Sequence, residues 1–254
     1  MNKIKLIIQY DGSDYIGWQR QKPEHGLSIQ QVVEEALLKV VGCSVTIHGA
    51  GRTDSGVHAL AQTAHFICPV AIPPPKLKPA LNHVLPASIR VMAVEEVDES
   101  FHARISACAK VYRYLLAADE PTVFNSRWYW PLLQLPQVEP MIEAAQYLIG
   151  RHDFRHFTLS NSNALNFVRE VRAINIYQPK QQELPCSFER AFAIEVEGSG
   201  FLYKMVRLIV ARLVAIGQGK LPPASMVDFL AGKPPLNLPP APPQGLMLMK
   251  VRYK

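Results

Sequence analysis

Partial alternation of apolar and polar residues opens the chain in "KIKLIIQYDG" and stops at Asp11-Gly12, a turn pair, which predicts a first strand. The period then changes. In "SIQQVVEEALLKVVG", apolar residues fall at Ile29, Val32, Val33, Ala36, Leu37, Val40 and Val41, the spacing of one helical face. Ser28 and Gln31 have the spacing of a capping box, and Gly42 supplies the stop. "SVTIHGAGRTD" reads as a strand leading into a Gly-rich loop, "TAHFIC" as the returning strand, and Pro73-Pro74-Pro75 as a break. A short helix at "LKPALNHVL" and a strand over residues 89–97 complete the first half.

The second half repeats this grammar loosely. "KVYRYLLAA" predicts a strand, and residues 138–150 predict an amphipathic helix ended by glycine. Strands follow at "VREVRAINIY" and "RAFAIEVEG", then the longest apolar helix over 202–216, a short helix at "SMVDFLAG" and a last strand at "LMLMKVRY". Strands and helices interleave in two comparable halves, so the fold class is α+β with a division near residue 105. The half 1–105 carries the Gly-rich loop, and 106–254 is expected to complete an active-site cleft. The Pro-rich stretches at 73–79 and 234–243 read as stiffened surface loops, with a PxxP ligand as the alternative.

Composition narrows the choice of partner. A hydrophobic share of 48% supports a packed core, and 19% charged residues argue against disorder. The excess of 27 Lys+Arg over 21 Asp+Glu gives a net charge of +6, which favours an anionic partner such as nucleic acid. Cys43, Cys68, Cys108 and Cys186 lack a CxxC spacing, so they suggest neither zinc nor a disulfide framework and read as small buried residues. "IKLII" is too short for a signal segment and no apolar run is long enough to span a membrane, so the expected location is cytoplasmic, without a membrane partner.

The chemistry concentrates in Gly49-Ala50-Gly51-Arg52-Thr53-Asp54-Ser55-Gly56-Val57-His58-Ala59. Glycines permit backbone angles and close approach that other residues do not, so this loop can present one carboxylate, Asp54, at close range. For an isolated Asp in such a turn, the plainer reading is a side chain that stabilises the turn itself. Arg52 is a loop charge or a bidentate partner for a carboxylate or phosphate. Tyr112 and Tyr114 alternate on one face of a strand, so either can be a core aromatic. Arg207 interrupts an apolar helix and needs an acid or a route to the surface, while Arg212 reads as solvated. His58 and His65 lack metal-ligand spacing and read as packing or RNA-facing groups. No GxSxG, GxGxxG or P-loop is present. Trp18, Arg20 and Lys22, His102 and Arg104, Lys110 and Arg113, and Arg151, His152, Arg155 and His156 mix cations with rings in a way that suits RNA, although each cluster alone reads as a solvated face.

"GRTDSGVHA" resembles the catalytic motif of the TruA family of tRNA pseudouridine synthases. "YDGSDYIGWQRQ", "SFHARISACAKVYRYLL", "FLYKMVRLIVARLVAIG" and "GLMLMKVRY" resemble further family segments in the same order, across nearly the whole chain. Ser55 stands where the family usually has Ala, Leu208 where Asn is commoner, and Ala211 where Gly is commoner. The resemblance implies two ferredoxin-like or RRM-like halves sharing a mostly antiparallel sheet, and a homodimer that binds tRNA. It implies isomerisation of uridine to pseudouridine at positions 38, 39 and 40 of the anticodon stem-loop. It further implies that Asp54 is the nucleophile, that Arg52 displaces or replaces the flipped base, that Tyr112 stacks on the target base and is placed for proton removal, and that Arg207 pairs with Asp54. The isomerisation has no net redox change, so no cofactor or metal is expected. A noncatalytic tRNA-binding protein or folding helper on the same scaffold, and an Asp-dependent hydrolase of a small molecule, are the alternatives.

Overall fold

A computed structural model describes residues 2–159, 165–233 and 236–254. The chain divides into two compact units, residues up to 108 together with 247–254, and residues 109–246.

In the first unit, β1 (Asn2–Tyr10) buries Ile4, Leu6, Ile8 and Tyr10 at period two, as the alternation predicts. Helix α1 (Ile29–Val41) starts where Ser28 Oγ accepts from the Gln31 amide at 3.2 Å and ends at Gly42, whose φ of 82° is left-handed. Gln31 Nε2 turns instead to Glu35 at 2.9 Å, so half of the capping box forms. The strand expected from residue 44 onward contracts to β2 (His48–Gly49), and the loop then leads to β3 (His58–Cys68). The proline triplet does not break the chain but starts α2 (Pro74–Val84), because proline suits the first helical turn, whose N–H groups need no intrahelical partner. Strand β4 (Ile89–Val97) closes this series. β1 lies antiparallel between β3 and β4, and β2 pairs antiparallel with the other side of β3. The sequence β1-α1-β2-β3-α2-β4 with spatial order β4-β1-β3-β2 is ferredoxin-like.

The second unit comprises β5 (Ala107–Ala117), β6 (Trp130–Pro131), α3 (Val138–Gln146), β7 (Gly150–Asp153), β8 (Val168–Tyr177), β9 (Ala191–Gly198), α4 (Met205–Gly217) and α5 (Ser225–Leu230). Its sheet runs β5-β9-β8-β7, all antiparallel, with β6 parallel to β5. Every residue of α4 is buried, which follows from its nearly continuous apolar sequence. Gly217 lets α4 close on α3: a Cβ there would lie 2.7 Å from the Met141 sulfur and from Pro136 Cβ. The helix expected over 202–216 starts three residues later because Lys204 is left-handed, and the one expected over 138–150 ends at Gln146, leaving Gly150 to open β7.

Strand β10 (Leu246–Tyr253) returns to the first unit and pairs parallel with β3 through Met247↔His58 and Leu248↔Ala59. A division at residue 105 therefore leaves out this return, whose partner is distant in sequence. Each unit is α+β with a mostly antiparallel sheet. Within the Pro-rich stretch 234–243, residues 234 and 235 lie outside the described residues; Ala241 is buried and the Pro242 carbonyl accepts from Tyr114 at 2.7 Å, so this part is packed. Among the described residues no helix is long and apolar enough to cross a membrane.

Candidate active site

The Asp54 loop is fastened to the turn that follows β1. Thr53 is gripped twice: its Oγ1 lies 2.8 Å from the Tyr10 hydroxyl, and its carbonyl accepts from the Trp18 amide at 3.0 Å. The Gly51 carbonyl accepts from Gln62 Nε2 at 2.9 Å, and the Ala50 amide donates to the Thr63 carbonyl at 2.7 Å. Beyond Asp54, the Val57 amide closes a turn onto the Asp54 carbonyl at 3.2 Å, with Gly56 at φ 77° in the position that requires it. Ser55 donates its hydroxyl to the Tyr15 carbonyl at 3.1 Å, a bond that Ala cannot make.

Close backbone approach explains two glycines upstream of the motif. A Cβ at Gly12 would lie 2.0 Å from the Val57 carbonyl oxygen, and one at Gly17 would lie 2.5 Å from the Thr53 oxygen and 3.0 Å from the Asp54 carbonyl carbon. The turn and the loop are therefore one interlocked piece, with Asp54 half-buried at its surface and Thr53 buried beneath. Burial pushes the Tyr10 phenol up to about 12, against the opposing pull of its bonds to Thr53 and Gln62, so it stays a neutral anchor. Tyr10, Thr53, Gly12, Gly17 and Gln62 were not legible as supports of the site; the glycines of "YDGSDYIGW" were the available signal.

Arg52 is exposed, and its Nε donates to Gln19 Oε1 at 3.2 Å. His58 is buried and its Nδ1 accepts from the Gly12 amide at 3.1 Å, a packing role. His65 is also buried. Its Nδ1 accepts from the Ala103 amide at 3.1 Å, and its ring lies 5.2 Å from His48 and 4.6 Å from His102. Burial, followed by the neighbouring His102 and His48, lowers His65 to about 4. Among the described residues no group of three His, Cys, Asp or Glu side chains is placed to hold a metal ion.

The remaining candidates lie in the second unit. Tyr112 is buried on β5 with its ring edge-on to Phe201 at 5.4 Å, and Gly198 makes room for Phe201. Tyr114 is fully buried and donates to the Pro242 carbonyl, so both tyrosines are packed in the interior. Arg207 is buried on the first turn of α4; its Nε donates to the Ala241 carbonyl at 2.6 Å and its own carbonyl accepts from the Ala241 amide at 3.1 Å. Lys204, just before α4, is the one described non-glycine residue with positive φ, at 58°, an angle that costs about 1 kcal/mol.

Arg212 departs from its expected solvation. It is 6% exposed, held between the Phe157 and Phe229 rings at 4.5 and 4.4 Å, and donates to the Leu208 and His156 carbonyls. Burial lowers it to about 10. On a helix apolar on all sides, no face is left for a solvated arginine. The expected RNA-facing cations also divide. Trp18 is core, against Gly49. Arg113 is half-buried and pairs with Glu195 at 3.5 Å, whereas Arg20, Lys22, Arg104, Arg151 and Arg155 are exposed; of these Arg20 lies 3.3 Å from Glu34, Lys22 3.9 Å from Glu24 and Arg155 2.7 Å from Asp153.

Comparison with known proteins bears on this arrangement. The family described as tRNA pseudouridine synthase matches residues 6–105 and 144–254. The tRNA pseudouridine synthase A of Syntrophotalea carbinolica is 41% identical over all of this chain and 97% of its own. The proteins of that name from a Thermoanaerobacter species and from Ruminiclostridium cellulolyticum are 40% and 38% identical, over the whole of both chains in each case.

Proposed function

Because the chain belongs to the tRNA pseudouridine synthase family, we propose that it converts uridines of the tRNA anticodon stem-loop to pseudouridine with Asp54 as the attacking carboxylate. The reaction breaks the bond between ribose C1′ and base N1, turns the base, and forms the bond from C1′ to C5; the proton on C5 is then lost, and N1 gains one. Asp54 acts covalently, on C6 of the base or on C1′ of the ribose, and leaves unchanged. The target must first leave the stacked stem, which costs a few kcal/mol. Arg52 takes the place of the flipped base, Tyr112 stacks on that base with its hydroxyl toward the C5 proton, and Arg207 is the supporting cation for the carboxylate.

The observation that carries this reading is the interlocked loop. It presents Asp54 half-buried from a backbone fixed on both sides, which is the preorganisation covalent attack requires. The net charge of +6 suits a polyanionic substrate, and recognition of adjacent uridines by one site calls for reading shape and backbone rather than base sequence. A homodimer, with each tRNA contacting both subunits, belongs to the same proposal. Incubation of the purified protein with an unmodified tRNA transcript, followed by chemical mapping of pseudouridine, tests it. Pseudouridine confined to the anticodon stem-loop supports the proposal; its absence there, with the protein folded, overturns it.

A further inference from the structure

A chain of polar side chains runs from the buried face of α1 out to the exposed Arg52. Glu34, 8% exposed, uses Oε1 to accept from Gln30 Nε2 at 2.9 Å and from the Ile47 amide at 3.1 Å, and its Oε2 lies 3.3 Å from the Arg20 guanidinium. Gln30, 7% exposed, also donates to the Ile47 carbonyl at 3.3 Å. Its Oε1 faces the other way and accepts from Gln19 Nε2 at 2.8 Å and from the Arg20 amide at 3.0 Å. Gln19 Oε1 in turn accepts from Arg52 Nε.

The direction of this chain is forced. A carboxylate only accepts, so Glu34 draws the NH₂ end of Gln30 toward itself. Turning the Gln30 amide over would set its oxygen against the carboxylate and its NH₂ against the Arg20 amide, losing several bonds at once. With Gln30 fixed, Gln19 must point its NH₂ inward and its oxygen outward. Arg52 therefore meets an acceptor, at Nε, and its terminal Nη1 and Nη2 groups have no hydrogen bond or ion pair among the described residues. A guanidinium held at Nε has its plane set and its outer edge open.

We propose that Gln19, Gln30 and Glu34 are positioning residues that set the Arg52 guanidinium through this polarised relay, so that its two free amino groups meet the RNA ready oriented. The bonds of Gln30 and Glu34 to the Ile47 backbone also serve the fold; what they do not require is the outward continuation through Gln19 to Arg52. The proposal rests on the reading that Arg52 meets substrate.

The test measures single-turnover pseudouridine formation on an unmodified tRNA transcript, tRNA affinity and the thermal midpoint, for Gln19→Met, Gln30→Met, Arg52→Lys and the Gln19→Met/Arg52→Lys pair in the full chain. Gln19→Met keeps length and loses the acceptor; it should slow turnover about 10-fold with affinity changed less than about 2-fold and an unchanged midpoint. In the Arg52→Lys background, which has no Nε to hold, Gln19→Met should add nothing. Should Gln30→Met fail to fold, the half-buried Gln19 carries the result alone. A wild-type rate for Gln19→Met beside a slow Arg52→Lys overturns the relay and leaves the reading of Arg52 standing; so does a Gln19→Met loss that persists in full in the Arg52→Lys background. A wild-type rate for Arg52→Lys itself removes the reading and the relay together.

Discussion

Gly17→Ala should damage catalysis more than its size suggests, and Gly42→Ala provides the matched control. Both glycines have positive φ, 102° and 82°. A Cβ at Gly42 meets nothing within 4 Å, so the change there costs only the backbone strain of a left-handed alanine, about 1 kcal/mol. At Gly17 the same strain is joined by a collision 2.5 Å from the Thr53 oxygen. Real Cβ atoms stay beyond 3.0 Å, so the peptide joining Thr53 to Asp54 must move by at least 0.5 Å. Overpacking of this kind costs a further 1–3 kcal/mol or so, which puts Gly17→Ala at roughly 2–4 kcal/mol in denaturant unfolding. A displacement of about 1 Å at a reacting group costs on the order of 100-fold, so kcat should fall roughly 10- to 100-fold while Gly42→Ala keeps its rate. Equal destabilisation by the two variants, or a wild-type kcat for Gly17→Ala, would refute the interlock of turn and loop.

Three further outcomes follow from the packing. Tyr112→Phe keeps the ring against Phe201 and loses the hydroxyl, so single-turnover rates should fall 100-fold or so with tRNA affinity nearly unchanged; lost stability with a normal rate would make Tyr112 a core residue. Arg212→Ala should cost about 3 kcal/mol in denaturant unfolding because it empties the space between Phe157 and Phe229, and Arg212→Met about half as much; a change within roughly 0.5 kcal/mol for Ala would return Arg212 to the surface. His65 is lowered to about 4 in the fold, against 6.5 when unfolded, so the unfolded chain binds the extra proton first: stability is full above pH 6.5 and is lost as pH falls through about 4. Denaturant midpoints between pH 7 and 4 should show that decline, and His65→Gln should flatten it; an unchanged slope in the variant would contradict the assignment.

Local chemistry made much of the fold legible. Ser28 and Gly42 bracket α1 because capping and a left-handed stop are decided within a few residues. The alternation of β1 reads directly as its buried face. What sequence did not disclose includes a distant partner, since β10 joins β3; the proline triplet was misread locally, because proline suits a first helical turn as well as a break. The motifs mark Asp54, Arg52 and Tyr112 as candidates, but not the residues that hold the Asp54 loop. Gly12 and Gly17 matter because a loop some forty residues away lies against them, and nothing local says so. Gln30 and Glu34 lie one helical turn apart beside Ile29 and Val33, and nothing local says that Gln19 and the Ile47 backbone will bond to them. Arg212 was the avoidable miss, since Leu208, Ile209, Val210 and Leu213 surround it with apolar positions.

Asp54→Asn tests the central claim most directly, because it keeps the side-chain volume and removes the proposed nucleophile. The measurement is pseudouridine formed in an unmodified tRNA transcript under single-turnover conditions, alongside tRNA affinity and the unfolding midpoint. The account predicts no detectable pseudouridine, with affinity and midpoint close to those of the unaltered protein. Pseudouridine formed by Asp54→Asn at a substantial fraction of the normal rate would contradict it and return Asp54 to the role of a turn residue.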